Sequence, residues 1–184
     1  THVCGTRGIT FNDLRYYPSD KVFHPDTADR WFSWVVATRP GGKEYIDGFF
    51  KHYHDLGVDF IRMDFLSWYE DGFDRNMGLV GRGYGRDSYE LALKYICKSA
   101  RKYGIFTSLV MPHLYDNAAF ESLYGNMVRI VADTGDGGWD HFSAANRGKL
   151  FKSWPNCDNV FDGFLHWSSI AGKGKIILDG DFTR

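Results

Sequence analysis

The chain has 184 residues, 43% hydrophobic and 17% aromatic, with a formal net charge of -1. That content supports a buried core, and the near-neutral charge, with no basic stripe, gives no electrostatic case for nucleic acid. Its apolar runs are far short of a membrane span, and Cys4, Cys97 and Cys157 are too few and too widely spaced for a disulfide framework or a zinc site.

Cysteine usage does not fix the compartment, and Thr1 begins no signal peptide. Thr1 to Gly8 reads as the tail of a strand already under way, and Phe11 to Asp29, with Pro18 and Pro25, as a long loop. Trp31 to Val36 is a short strand or part of that loop. Arg39-Pro40-Gly41-Gly42 is a turn into a helix whose Tyr45, Ile46, Phe49, Phe50 and Tyr53 share one face at three-to-four spacing. Gly57 ends it as a left-handed cap. Val58 to Met63 is then a short apolar strand that runs out at Asp64, with Arg62 two residues back on the same face.

Ser67 to Gly85 reads as a glycine-rich, aromatic loop, and Asp87-Ser88-Tyr89-Glu90 as a capping box. The helix it opens sets Tyr89, Leu93, Ile96, Cys97 and Ala100 on one face and stops at Gly104. Ile105 to Val110 is the next strand, ended by Pro112. A short helix over about 117–124 leads through Gly125 into the strand that ends at Asp133. A helix beginning near Trp139 follows, then the turn Trp154-Pro155-Asn156. A last helix has Val160, Phe161, Phe164 and Leu165 on one face and ends at Gly172. The final strand is Lys175 to Leu178, followed by Asp179-Gly180-Asp181.

Helix, glycine, apolar strand and polar strand end thus recur four times. Alternating strands and helices imply a parallel sheet, and repeated polar strand ends favour a (β/α)₈ TIM barrel over an open sheet. A complete barrel takes roughly 250 residues. The expectation is therefore an α/β fold in which residues 1–184 form a catalytic barrel domain incomplete on its N-terminal side, carrying strands three to eight. The missing N-terminal strands would pack on this chain and cover its open edge.

On that reading Asp64 ends the fourth strand and Asp133 the sixth. Strands about 4.8 Å apart set alternate backbones about 10 Å apart. Two inward aspartates can then bring their carboxyls to about 5 Å, the separation of a retaining glycosidase. One carboxylate attacks the anomeric carbon while the other protonates the leaving oxygen and then activates water. Arg62 beside Asp64 favours Asp64 as the ionised nucleophile. The aromatic loop after Asp133 favours that residue as acid/base.

Val58-Asp59-Phe60-Ile61-Arg62-Met63-Asp64 resembles the strand-four nucleophile motif of the α-galactosidases (melibiases) of glycoside hydrolase family 27. Met127 to Asp133 followed by Trp139 resembles their strand-six acid/base segment. Trp154-Pro155-Asn156-Cys157-Asp158 is similar to their strand-seven turn, and Leu178 to Phe182 to the segment after strand eight. The resemblance implies a retaining α-galactoside hydrolase with Asp64 as nucleophile and Asp133 as acid/base. It implies substrate contacts from Arg62, Arg129, Met111, Trp139 and Asp158, an oligosaccharide or glycoside partner, and neither metal nor cofactor. A secreted or periplasmic setting would suit such an enzyme. Val110 stands near the place where these enzymes carry a carboxylate on strand five, which turns the expectation toward altered specificity.

Rival readings are the same barrel with an α-N-acetylgalactosaminide or β-L-arabinopyranoside specificity, a non-catalytic carbohydrate-binding barrel, and a divalent-metal hydrolase using Asp and His. Trp68, Tyr69 and Trp139 are sugar-platform candidates, with core or lid packing as the alternative. His113 reads as a loop histidine, and Asp136, among glycines, as a turn residue. Asp179 and Asp181 either line the mouth or cap the last turn.

Overall fold

A computed structural model of the chain describes residues 35–74, 78–79, 83–133, 154–157 and 159–181. The expected strand over Thr1 to Gly8, the loop over Phe11 to Asp29 and the helix near Trp139 lie outside the described residues. The chain divides into two compact units, Thr1–Thr107 and Ser108–Arg184.

In the first unit, helix α1 (Gly42–Asp55) follows the expected turn and buries Gly42, Ile46 and Phe50. Gly57 adopts φ +81°, the left-handed stop that its lack of a Cβ permits. Strand β1 (Phe60–Met63) buries Ile61 and Met63, which sets Arg62 on its other side. Ser67 to Gly85 is not one loop. It opens with helix α2 (Leu66–Asp71) and continues as an antiparallel hairpin of β2 (Phe73–Asp74) and β3 (Gly78–Leu79). The cause is burial: Leu66, Trp68 and Tyr69 are in the core, so the segment folds to satisfy its backbone there.

Helix α3 (Arg86–Lys102) buries the expected Tyr89, Leu93, Ile96, Cys97 and Ala100. It starts at Gly85 without a side-chain cap, so no capping box forms. Asp87 lies inside the first turn rather than at the cap, and Glu90 accepts from Arg86 Nε at 2.9 Å, while the adjacent Ser88 bonds the Tyr69 hydroxyl at 2.9 Å. Helix α1 packs on α3, and Asp47 on α1 ties the pair by accepting from Lys102, Tyr103 and Ser99. The Lys102 bond leads in holding the Asp47 carboxyl below its usual range. A small apolar cavity of about 20 Å³, lined by Ile46, Phe50, Met63 and Ile96 among others, lies beneath α1.

Strand β4 (Phe106–Leu109) starts in the first unit, where Phe106 N–H donates to Asp59 O at 2.7 Å, and ends in the second. In the second unit its end pairs in parallel with β5 (Met127–Arg129), and β5 pairs in parallel with β6 (Ile177–Asp179). The chain is thus an α/β fold with a parallel sheet. The register sets Met127 against Ile177 and Arg129 against Asp179. Trp154 to Cys157 therefore supplies no strand between β5 and β6, which pair directly.

A 3₁₀ turn (Asp116–Ala118) with left-handed residues precedes helix α4 (Ala119–Tyr124). Helix α5 (Val160–Trp167) is capped by Asn159 Oδ1, which accepts from Asp162 N–H at 3.1 Å. Its buried face is Val160, Gly163 and Trp167, whereas Phe161, Phe164 and Leu165 are exposed. The expected face is rotated because Gly163 sits so close to Cys157 and Ile130 that a Cβ would lie 3.2 Å from each. Gly125 likewise serves by its small size: it has extended φ, and a Cβ there would lie 2.7 Å from Leu109 Cδ1 and 2.9 Å from Glu121 O.

Gly125→Ala should accordingly destabilise the protein by about 1–3 kcal/mol, through overpacking against backbone, as measured by urea unfolding; an unchanged midpoint would refute the space argument. Burial pushes the ionisation of the Tyr69 hydroxyl up, against the lowering effect of its bonds to Ser88 and Ala37. A raised folded-state value means that this contribution is complete below the unfolded tyrosine value of about 10 and is lost as pH rises beyond it. Tyr69→Phe should cost about 1 kcal/mol at neutral pH and flatten the decline in stability above about pH 10, read from unfolding curves across that range.

Candidate active site

Each unit has its own strand-end groups. In the first, β1 delivers Asp64 immediately after Met63. Asp64 Oδ1 accepts the N–H of Phe65 at 2.7 Å. Phe65 holds φ 61° and ψ 31°, a left-handed conformation that costs a side-chain-bearing residue on the order of 1–2 kcal/mol. That turn starts α2 at once, so the chain leaves the strand end sharply and the carboxylate is held by its own backbone. The Phe65 ring lies against Trp68, with centroids 4.3 Å apart. Arg62 and Asp64 are both half-buried.

Trp68 and Tyr69 do not form an open platform. Trp68 is 7% exposed, with Nε1 donating to Asp74 Oδ2 at 3.2 Å, and Tyr69 is 2% exposed beneath Tyr84. Core packing is thus the correct alternative for these two. Trp139 and Asp158 lie outside the described residues.

In the second unit, β5 ends at Arg129, whose side chain is only 4% exposed. Its Nη2 donates to two carboxylates, Asp133 Oδ1 at 2.7 Å and Asp181 Oδ2 at 2.9 Å. The carboxylates differ sharply in setting: Asp133 is 86% exposed and Asp181 only 3%. Asp181 is fixed in turn by the end of β6, because its N–H donates to Asp179 Oδ1 at 2.8 Å. The Trp154 ring lies 5.6 Å from the guanidinium carbon, within cation–π range.

Met111, after β4, is half-buried with φ 59°. The neighbouring His113 is buried, and its Nδ1 accepts the Trp154 N–H at 2.8 Å, a bond that fixes the loop. Asn156 donates to Pro112 O at 3.1 Å and so joins the same two segments. Val110 is wholly buried and brings no polar group to the end of β4. Among the described residues, no three His, Cys, Asp or Glu side chains converge as a metal set.

Asp181 is the residue that sequence reasoning placed least well. Its signal was present in Asp179-Gly180-Asp181 at a strand end, but its role depends on Arg129, fifty-two positions earlier in the chain. In the conformation seen, Asp133 is an acceptor in an ion pair.

No protein-family model matches the chain. An isomalto-dextranase from Arthrobacter globiformis is 43% identical over 182 residues, covering 99% of this chain and 28% of that protein. A solved structure of the Arthrobacter globiformis T6 isomalto-dextranase complexed with panose superposes with a TM-score of 0.77 at 46% identity, over 82% of this chain and 25% of the other. The chain thus spans about 28% of the length of the curated relative it matches. These findings correct the α-galactosidase resemblance: the relative carries a different activity in its name, and no family model supports the former. Short strand-end motifs record where a carboxylate stands, not which sugar hydroxyls are read around it.

Replacing Arg129 by Met would leave Asp181 a buried carboxylate stripped of this cation. A stability loss of about 3–5 kcal/mol should follow, seen as a lowered denaturation midpoint; a loss below about 1 kcal/mol would show that the pair is dispensable.

Proposed function

We propose that the chain is part of a retaining glycoside hydrolase acting on an α-glucan of the dextran type, with Asp64 as nucleophile and Asp133 as acid/base. The observation that carries this reading is the 43% identity to an isomalto-dextranase along nearly the whole chain. The aspartates that follow β1 and β5 support the residue assignment. In this reading β1, β4, β5 and β6 belong to a (β/α)₈ barrel of which residues 1–184 are one portion, and the other strands come from outside it. The panose complex of the relative supports a glucose oligosaccharide over the α-galactoside to which the motifs first pointed.

In the first step the Asp64 carboxylate attacks the anomeric carbon as the glycosidic C–O bond breaks, and Asp133 gives its proton to the departing oxygen. In the second, Asp133 takes a proton from water, the water oxygen bonds to the anomeric carbon, and the Asp64 ester bond breaks. Two carboxylates and water balance both steps. The mechanism requires carboxyl groups about 5 Å apart. Arg62 and Arg129, with Met111, Trp139 and Asp158, are the proposed sugar contacts; of the two arginines, Arg129 is already committed to the acid/base residue.

In the full-length protein, Asp64→Ala should abolish release of sugar from dextran and isomalto-oligosaccharides, and azide should restore turnover of an activated glucoside. Undiminished dextran hydrolysis by that variant would remove Asp64 from the mechanism. Turnover of aryl α-galactosides without turnover of α-glucosides by the unaltered protein would overturn the substrate assignment.

A further inference from the structure

We infer that Asp181 is a positioning residue for proton transfer: it carries the charge of Arg129 from the buried side, so that Asp133 can take up and release a proton without leaving that cation uncompensated. The inference rests on the proposed acid/base role of Asp133 and adds to it a reason why that residue can change charge.

The geometry gives one guanidinium nitrogen two carboxylates of unequal standing. Asp181 is as buried as Arg129 itself and is anchored at the end of β6 by the Asp179 side chain. The register that sets Arg129 against Asp179 brings that anchor to the guanidinium. Asp133 meets the same nitrogen from an exposed position.

Protonating Asp133 removes one negative charge from this trio. Were Asp133 the sole counter-ion, that step would strand a buried cation, which is strongly unfavourable. Asp181 keeps Arg129 neutralised through the proton transfer, so the exposed carboxyl can cycle between ion-pair acceptor, acid and base. The trio is thus a fixed pair plus one exchangeable member. Without the carboxylate at position 181, Arg129 would favour the ionised form of Asp133, because protonating it would leave the buried cation unpaired.

The test uses full-length protein and two substrates with the same sugar, an isomalto-oligosaccharide with a poor leaving group and a dinitrophenyl glycoside that needs no acid. For Asp133→Asn, the ratio of rates on the two should shift by about 10²-fold or more against the poor leaving group. Read as kcat/KM, which reports the first step alone, Asp181→Asn should show the same direction of shift, with the value for the dinitrophenyl substrate held within a few-fold of the unaltered protein. A merely structural role predicts equal losses on both substrates, and equal losses or no change would overturn the inference. The double variant Arg129→Gln/Asp181→Asn removes the buried cation and its partner together. It should return the ratio toward that of the unaltered protein even where Asp181→Asn alone folds poorly; a ratio like that of Asp133→Asn would overturn the inference. If Asp133→Asn shows no leaving-group dependence, the acid/base reading fails and this inference falls with it. If only the Asp181 variants lack that dependence, the acid/base reading stands and the inference alone is lost.

Discussion

A guanidinium with almost no solvent around it must be neutralised where it lies, and in the second unit that requirement disciplines the whole strand-end region. Arg129 is the last residue of β5, so its counter-ion has to come from a neighbouring element that reaches the same depth. The parallel pairing of β5 with β6 meets this demand by bringing the Asp179-Gly180-Asp181 segment alongside. Slipping that register by one residue would turn the strand side chains to opposite faces and separate cation from anion. Replacing such a buried pair with apolar groups is often neutral or favourable for stability. Positioning a nearby group is the better account of why charges are kept there.

The first unit handles its acid by other means. Asp64 is oriented by the backbone of the next residue, and the cost is a left-handed Phe65. That cost is borne by burial all around it: Leu66, Trp68 and Tyr69 pack under the turn, and α3 supplies Ser88 to the Tyr69 hydroxyl. A strained residue persists only where its surroundings over-determine it, and these aromatics provide that support. Two aspartates that look alike in sequence are thus held by unlike physics, Asp64 by the backbone of the next residue and Asp133 by an ion pair to an arginine four residues earlier.

Much of the fold is legible in the chain because its signals are local. The face of α3 follows from spacing alone, as do the stop at Gly57 and the apolar runs that become β1, β4 and β5. Of the face expected for α1, only Ile46 and Phe50 are buried, and Tyr45, Phe49 and Tyr53 are half-buried. What escaped depends on partners far apart in sequence. Ser67 to Gly85 looks like a loop by its glycines, yet folds as helix and hairpin because its aromatics find a core. The face of α5 was misplaced because a glycine, invisible to hydrophobic spacing, allows the tightest approach. Trp154 and Pro155 resembled a strand turn, but β5 and β6 pair directly and leave no place for one. Asp64 directly follows β1, whereas the strand expected to end at Asp133 stops four residues earlier, at Arg129.

The turn at Phe65 has a consequence for how this site can diversify. Because the main chain aims Asp64, its aim does not depend on any one surrounding side chain. Neighbouring loops can therefore exchange residues while the Asp64 carboxylate keeps its orientation. Heritable change in preference has a free hand around such an acid, provided that the backbone crook beneath it is left alone.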